Sequence, residues 1–219
     1  MLKPILFNTE MVQAILDKRK SVTRRVIKPQ PTQPIPLGFT SFSTCKKNIG
    51  CYSWGKDEYG GIIDNRKPRY KIGGILWVQE TWCYGSDTVK ILFDPKPMAY
   101  DVLYRADYKH LDKDEAKWRS PTHMPKELAR IFLRVTYVRV ERLQHIAGYQ
   151  VEKEGLRFVN NPLIYQDTAT FTSLARHNYK KLWNSTVKKK DLDKYGWDAN
   201  PWVWVIDFER ISKEEALNA

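Results

Sequence analysis

The sequence contains little cysteine and no long apolar run. Its three cysteines, Cys45, Cys51 and Cys83, are an odd number and lie far apart, so they cannot form a complete disulfide framework. We expect free thiols and a cytoplasmic protein, because a reducing compartment fits this composition. No segment approaches the roughly 20 consecutive apolar residues of a transmembrane helix, and the first residues lack the apolar stretch of a secretion signal. The sequence therefore predicts no membrane partner.

The sequence also lacks the motifs of several common enzyme classes. It contains no phosphate-binding Gly-x-x-x-x-Gly-Lys-Ser/Thr loop, no dinucleotide fingerprint, no Gly-x-Ser-x-Gly elbow and no kinase signature. The spacer between Cys45 and Cys51 is wider than the usual spacing of zinc ligands, and the histidines form no paired motif. We therefore expect no metal and no cofactor, and the common nucleotide-hydrolysing and dehydrogenase classes are excluded.

Positive charge is in excess. The chain has 37 Lys and Arg against 25 Asp and Glu, and the resulting net charge of +12 favours an anionic partner such as nucleic acid. The densest positive segment, residues 18–28, holds six basic residues and no acidic one. Basic proteins without a nucleic-acid partner are also common, so charge alone does not decide the function. A hydrophobic content of 42% supplies a real core and argues against general disorder.

Hydrophobic spacing predicts two helices. Asn8 or Thr9 can cap the first, which should end near Asp17 or Lys18. The three-four repeat that defines its buried face consists of Met11, Val12, Ile15 and Leu16. The second helix is indicated by one apolar face over three turns, formed by Phe171, Leu174, Ala175, Tyr179, Leu182 and Trp183.

Strand patterns dominate the rest of the chain. The prolines of residues 29–36 favour an extended connection, and the glycines of 38–74 favour hairpins or long loops. Buried or half-buried strands are predicted at Ile75–Val78, Tyr100–Arg105, Ile131–Val140 and Trp202–Phe208. In the third of these, alternation should place Ile131, Leu133, Val135 and Tyr137 on one face. The pattern predicts an α+β fold in which the last strand is central.

Five segments taken together resemble one family. They are residues 19–25 with the helix before them, residues 73–82, the strand from Ile131, residues 152–156 and residues 200–208. These segments are similar to the ASCH family, the activating-signal-cointegrator homology domains, which have the PUA-like fold. The long variants of bacteriophages and prophages are the most similar. The resemblance implies one domain over residues 1–219, a mostly-β pseudo-barrel with flanking helices and insertions at about 30–72 and 84–125.

The most specific motif of that family is Gly-x-Lys-x-x-Thr-x-Arg. Lys20, Thr23 and Arg25 match it, but Lys18 stands at the glycine position. Glycine would let the backbone bend after the helix. Lys18 must therefore take another conformation there or add a positive side chain to the mouth of the cleft.

A small bacterial branch of the family is an amidohydrolase that removes the acetyl group from acetylated cytidine. The resemblance implies that Lys20 is the proton acceptor, Thr23 the nucleophile and Glu154 the proton donor. A threonine hydroxyl needs such a base, and neighbouring positive charges favour the neutral form of a lysine. We expect the three side chains to converge on one pocket. The alternative interpretation is that Lys20 and Glu154 form a plain ion pair and Thr23 caps a turn.

Further residues are candidates for binding RNA or a modified nucleoside. The basic side chains expected to contact it are Lys18, Arg19, Arg24 and Arg25. Trp82 is the candidate for an exposed ring on which a base stacks, and Glu80 for a carboxylate that holds Arg25 or Lys20 in place. Trp77, Trp202 and Trp204 are assigned to packing.

Four classes of function fit these observations to different degrees. The leading hypothesis is binding of a nucleic acid or modified nucleoside in a basic cleft, with hydrolysis of an amide on a modified pyrimidine. The alternatives are a non-catalytic RNA-binding or modified-base-binding module, and a metal-independent ribonuclease with Lys20 as base. A phage structural or assembly protein would leave the basic cleft residues without a role.

Overall fold

The computed structural model describes residues 2–87, 101–108, 115–157 and 168–219. Its strands are β1 (Lys3–Leu6), β2 (Val22–Val26), β3 (Pro36–Phe39), β4 (Tyr52–Lys56), β5 (Ile62–Arg66), β6 (Ile75–Gln79), β7 (Trp82–Tyr84), β8 (Val102–Tyr104), β9 (Phe132–Arg142) and β10 (Trp202–Ile211). Its helices are α1 (Thr9–Leu16), α2 (Gly148–Lys153), α3 (Thr168–Thr186), α4 (Leu192–Tyr195) and α5 (Lys213–Leu217).

The fold is mixed α and β, with open sheets. Five strands form a sheet in the order β1-β6-β9-β10-β2, in which β1 and β6 are parallel while β6–β9 and β10–β2 are antiparallel. A second sheet has the order β3-β4-β5, and β7 pairs with β8. Among the described residues these sheets form no closed barrel.

The chain divides into two compact units, which we call the first and the second unit. The first unit comprises Met1–Ser21, Gly73–Thr136 and Phe208–Ala219. One of its apolar clusters is formed by Ile75, Trp77, Trp82, Met124, Ala129, Phe132, Ile211 and Ala216. Helix α1 is capped by Asn8, whose side chain accepts a hydrogen bond from the Met11 N–H at 2.9 Å.

The second unit comprises Val22–Ile72 and Tyr137–Asp207. Its main cluster joins β2 and β10 to helices α2 and α3 and consists of Val22, Leu143, Ile146, Val151, Phe171, Ala175, Tyr179, Trp183, Trp197, Val203 and Val205. The three-stranded sheet β3–β5 also belongs to this unit, and its rings pack on Trp202 and Trp204 of β10. Buried apolar surface of this kind supplies most of the favourable free energy of folding.

Most sequence-based elements are confirmed. The first helix, the strands near residues 75, 131 and 202 and the long helix α3 occur where predicted, and 38–74 forms a hairpin sheet. Strand β8 confirms the middle of the predicted strand Tyr100–Arg105. Strand β10 lies inside its sheet, between β9 and β2. The described chain has five helices rather than two.

The burial of β9 changes along the strand. Tyr137, expected to share a face with Val135, is exposed, and its neighbour Val138 is buried, so the face that is covered differs between the two ends of β9. The single domain over residues 1–219 with insertions stays a prediction, and residues 88–100 and 109–114 of the second insertion lie outside the described residues.

Candidate functional site

Strand β2 places the residues of the sequence motif on two faces. Successive side chains of a strand point to opposite sides, so Thr23 and Arg25 share one face and Arg24 lies on the other. In the antiparallel register, Arg24 lies opposite Val205, a member of the cluster beneath α2 and α3. Arg25 lies opposite Trp204, which packs against the β3–β5 sheet. The two arginines therefore leave opposite faces of β2, although Glu154 and Tyr179 lie close enough to Arg25 to raise its pKa.

Arg24 is held inside the second unit by three acceptors. Its side chain is 0% exposed. One terminal nitrogen, Nη1, donates to Glu154 Oε1 at 3.2 Å, and the other, Nη2, donates to Glu141 Oε2 and Gln150 Oε1 at 3.0 Å each. The expectation that Arg24 contacts phosphate therefore conflicts with its burial. The guanidinium instead positions Glu154.

Glu154 is the C-terminal cap of α2. Its backbone N–H donates to the Gln150 carbonyl at 3.0 Å, which ties the residue to the last turn. Gly155 follows with φ +98°, a conformation that L side chains rarely adopt, and this glycine turns the chain away from the helix. The Glu154 side chain is 5% exposed and accepts a hydrogen bond from the Tyr179 hydroxyl at 3.3 Å. Two donors from separate elements thus hold the carboxylate.

A second layer of charges extends this arrangement. Arg139 Nε donates to Glu141 Oε1 at 2.6 Å, and Arg139 Nη1 donates to Asp207 Oδ2 at 2.7 Å. The chain of contacts therefore runs from Tyr179 through Glu154, Arg24, Glu141 and Arg139 to Asp207. We call these six residues together with Gln150 the Arg24 network. Taking such charges out of water costs several kcal/mol per ion, so the network is an expensive feature of the core.

Burial shifts the pKa of two groups around the site. The pKa of the Tyr179 phenol is raised well above its usual value of 10.0, first because the hydroxyl is buried and second because the Glu154 carboxylate lies beside it. Desolvation lowers the pKa of the partly buried Arg25 guanidinium, and nearby Tyr70 and Glu154 act in the opposite direction. Groups with shifted pKa values concentrate at functional sites, although structural ion pairs shift them too.

The other face of β2 is lined by a tyrosine and an arginine. Tyr70 is buried, and the guanidinium of the exposed Arg69 lies 5.5 Å from the centre of its ring. Both affect the pKa of Arg25: Tyr70 raises it and Arg69 lowers it. Thr23, on the same face of the strand as Arg25, is also buried. A hydroxyl, two guanidinium groups and an aromatic ring can bind an anionic or planar polar ligand.

The remaining motif residues belong to the first unit. Lys18 has φ +59°, so it adopts the left-handed conformation that glycine adopts without strain. It is exposed, and Arg19 beside it forms an ion pair with Asp17 at 3.0 Å. Lys20 is buried with its Nζ 5.5 Å from the centre of the Phe7 ring. The convergence of Lys20 with Thr23 and Glu154 stays a prediction.

Two further expectations about the first unit are wrong. Trp82 is only 3% exposed and packs in the cluster around Trp77, so it is not an exposed stacking ring. Glu80 forms a two-pronged ion pair with Arg130, at 2.9 Å for each oxygen, in place of the expected contacts with Arg25 or Lys20. Trp82 is the first residue of β7, which pairs with β8.

Glu141, Gln150 and the hydrogen bond from the Tyr179 hydroxyl to Glu154 were not predicted from the sequence. Tyr179 was expected only as a member of the apolar face of α3, where its ring does lie. A signal for Arg24 existed: Val22 and Val26 flank it at strand spacing, which places it on an apolar face. A buried arginine requires acceptors, but the sequence does not show which distant residues supply them.

Comparisons with known proteins give no relatives: neither a family model, nor a curated protein, nor a solved structure matches the chain. Within the described ranges, no group of three or more His, Cys, Asp or Glu side chains is arranged to hold a metal ion. In the part of the chain that the structure describes, no helix is long and apolar enough to cross a membrane. The three cysteines are free thiols, as predicted.

Proposed function

We propose that the protein binds a nucleic acid or a modified nucleoside and hydrolyses an amide on a modified pyrimidine such as acetylated cytidine. The observation that carries the proposal is the contact between Arg24 and Glu154. It joins β2, the strand that carries Thr23, to the glutamate that the resemblance names, across 130 sequence positions. A fold gains little from burying such a pair, since apolar residues of similar volume are often equally stabilising.

The proposal includes the finer fold description, a PUA-like ASCH domain. Two local features support it. Lys18 adopts the left-handed conformation expected of the family glycine directly after α1. The motif then continues into β2, an edge strand paired with the C-terminal strand β10. Both features follow the order of elements that the resemblance implies.

The reaction would proceed in two stages. The Thr23 oxygen attacks the acetyl carbonyl carbon, losing its proton to Lys20 as the resemblance implies, and the bond to the exocyclic nitrogen breaks as that nitrogen gains a proton. Water then attacks the acetyl ester on Thr23, releasing acetate and restoring the hydroxyl. One water is consumed overall, and one amine and one acetate are produced.

The Arg24 network supports a more specific part for Glu154 in this scheme. An arginine partner and a phenol hydroxyl both favour the ionised carboxylate. The proton that Lys20 takes from Thr23 must therefore pass on to Glu154 before Glu154 donates it to the leaving amine. Arg24 and Tyr179 are positioning residues, because they act through Glu154.

The first experiment determines the reaction class. The purified protein is incubated separately with acetylated cytidine and with mixed cellular RNA, and the products are identified by mass spectrometry. Loss of acetate without strand cleavage supports the proposal. Strand cleavage indicates the ribonuclease alternative.

A matched pair of variants distinguishes the loss of the site carboxylate from the general effect of neutralising a buried carboxylate. Glu154→Gln removes the negative charge of the carboxylate with little change in shape. Asp64→Asn is the control, because Asp64 is also a buried carboxylate of the second unit but is bound by Arg66 and Thr32 in the β3–β5 sheet. We expect only Glu154→Gln to slow acetate release, by about 100-fold or more.

The second candidate is a binding module without catalysis. The observation that favours it is the double hydrogen bonding of Glu154, since a carboxylate held by Arg24 and Tyr179 is well suited to a fixed acceptor for a base amine. This candidate predicts tight binding of the modified nucleoside with no release of acetate.

A further inference from the structure

Phe39, the last residue of β3, presents one face of its ring to solvent. It lies on Trp204 of β10, the strand that pairs with β2. Its other face stacks on Trp204, with ring centres 6.2 Å apart and an interplanar angle of 28°. Phe39 is nevertheless 44% exposed, whereas Trp204 beneath it is 8% exposed. The ring is therefore the outer layer of an aromatic stack and has an open face.

The orientation of Phe39 is fixed by its neighbours. Tyr52 lies opposite it in the β3–β4 register and meets its ring edge-on, with centres 5.0 Å apart and an angle of 89°. Tyr52 in turn packs on the fully buried Trp54 at 4.8 Å. A ring held on one face and one edge loses little freedom when a planar ligand stacks on its remaining face.

Arginine side chains surround this stack. Trp204 lies opposite Arg25 in the β10–β2 register, so the two side chains leave the same face of the sheet side by side. Arg66 lies opposite Tyr52 in the β4–β5 register. Arg69 follows three residues later and lies over the Tyr70 ring. Arg25 and Arg69 therefore add positive charge to the part of the second unit that holds these rings, whereas the charge of Arg66 is paired with Asp64.

The charge decides which partner fits the open ring. An apolar protein partner would have to desolvate the guanidinium groups of Arg25 and Arg69 as well. A single-stranded nucleic acid would instead place a base on the ring and its phosphates near the arginines, which is the usual arrangement in proteins that bind single strands. The net charge of +12 also favours a nucleic acid over an apolar protein as the partner.

We infer that Phe39 is a base-stacking residue and that the ligand of the second unit is a single-stranded nucleic acid rather than a free nucleoside. This inference rests on the proposed function and narrows its substrate class. The base next to the modified pyrimidine stacks on Phe39, while Arg25 and Arg69 contact the phosphates beside it.

The test compares two probes and three variants. The probes are a short fluorescein-labelled single-stranded RNA with one acetylated cytidine, followed by fluorescence anisotropy, and free acetylated cytidine, followed by calorimetry. Phe39→Leu removes the π face but keeps an apolar side chain, and Phe39→Tyr keeps the ring. Phe42→Leu is the control, because Phe42 is 85% exposed and lies three residues after Phe39, beyond the end of β3.

We expect Phe39→Leu to weaken binding of the RNA about ten-fold, the effect of losing one stacked base, and to leave binding of the free nucleoside unchanged. Phe39→Tyr and Phe42→Leu should bind the RNA like the wild type. Equal RNA affinity of Phe39→Leu and the wild type would overturn the inference, and so would an equal loss in Phe42→Leu.

The same data distinguish this inference from the proposed function. A wild-type protein that binds both probes but is insensitive to Phe39→Leu keeps the proposed function and overturns the stacking role. A wild-type protein that binds the nucleoside as tightly as the RNA also overturns the stacking role alone. A wild-type protein that binds neither probe contradicts both.

Discussion

Arg24 and Glu154 form a buried ion pair, 3.2 Å from Nη1 to Oε1, although 130 positions separate them in the sequence. Strand β2 supplies the arginine and the end of α2 the glutamate. Because both side chains are shielded from water, the pair is screened little by salt and each partner is costly to leave alone. The position of Glu154 is thus tied to the strand that carries Thr23.

The coupling of this pair is measurable as a free energy of unfolding. We expect Arg24→Met and Glu154→Gln each to destabilise the protein by about 2–4 kcal/mol, because each leaves a buried polar group without its partner. The double variant should lose about 1–3 kcal/mol less unfolding free energy than the two single losses added together. Urea unfolding of the wild type, the two single variants and the double variant gives this double-mutant cycle. Strictly additive losses would show that the two side chains do not interact.

The Tyr179 phenol should make stability depend on alkaline pH. Its pKa is raised in the folded protein above the value of about 10 in the unfolded chain, so the stabilisation is fully present below pH 10 and is lost as the pH rises from 10 through the raised pKa. In Tyr179→Phe this part of the decline should disappear, at a cost of about 1 kcal/mol for the lost hydrogen bond at neutral pH.

Melting temperatures measured between pH 8 and about 11.5 give this comparison, since that window brackets the unfolded pKa. Tyr149→Phe is the control, because Tyr149 is 58% exposed. An alkaline decline of the same steepness in Tyr179→Phe and the wild type would contradict the assignment.

Lys18 provides a test of the backbone at the motif. Its φ of +59° is unfavourable for a lysine and free of strain for glycine. Lys18→Gly should therefore stabilise the protein by about 0.5–1 kcal/mol, whereas Lys18→Ala, which keeps the Cβ, should not. Chemical denaturation of the two variants measures the difference, and equal stabilities would argue against the left-handed conformation.

Much of the fold could be predicted from the sequence because its elements have strong local signals. The Asn8 cap and the three-four spacing after it define α1, and the apolar run from Trp202 defines β10. The exposure of Tyr137 in β9 has no such signal, because it depends on what covers each face of the strand. β1, only four residues long, was missed because so short a run shows no period.

The candidate site was predictable in part. The resemblance supplied Thr23 and Glu154, and the structure brings their strand and helix end together. The roles of Arg24 and Trp82 were mistaken because basic charge and aromaticity suggest a surface, whereas β2 turns Arg24 toward an apolar cluster and the cluster around Trp77 buries Trp82. Burial is set by long-range packing, which a single sequence does not contain.

Salt dependence distinguishes Arg25 from the other cations of the chain. If Arg25 contacts a phosphate, Arg25→Gln should reduce the slope of log affinity against log salt by about 0.7, the value for one single-strand phosphate. Lys189→Gln removes the same charge from an exposed turn and should leave the slope unchanged. Anisotropy titrations of the labelled RNA over a series of salt concentrations give both slopes, and equal slopes in the two variants would exclude Arg25 from the contact.

Acetate release from acetylated cytidine in RNA is the measurement that tests the central claim most directly. We expect the wild type and Asp64→Asn to release acetate at equal rates. Thr23→Val, which lacks the hydroxyl, and Glu154→Gln should both be slower by about 100-fold or more, the usual effect of losing a nucleophile or a general acid. Release by Glu154→Gln at the wild-type rate, or no release by a wild-type protein that binds the RNA, would contradict the hydrolase.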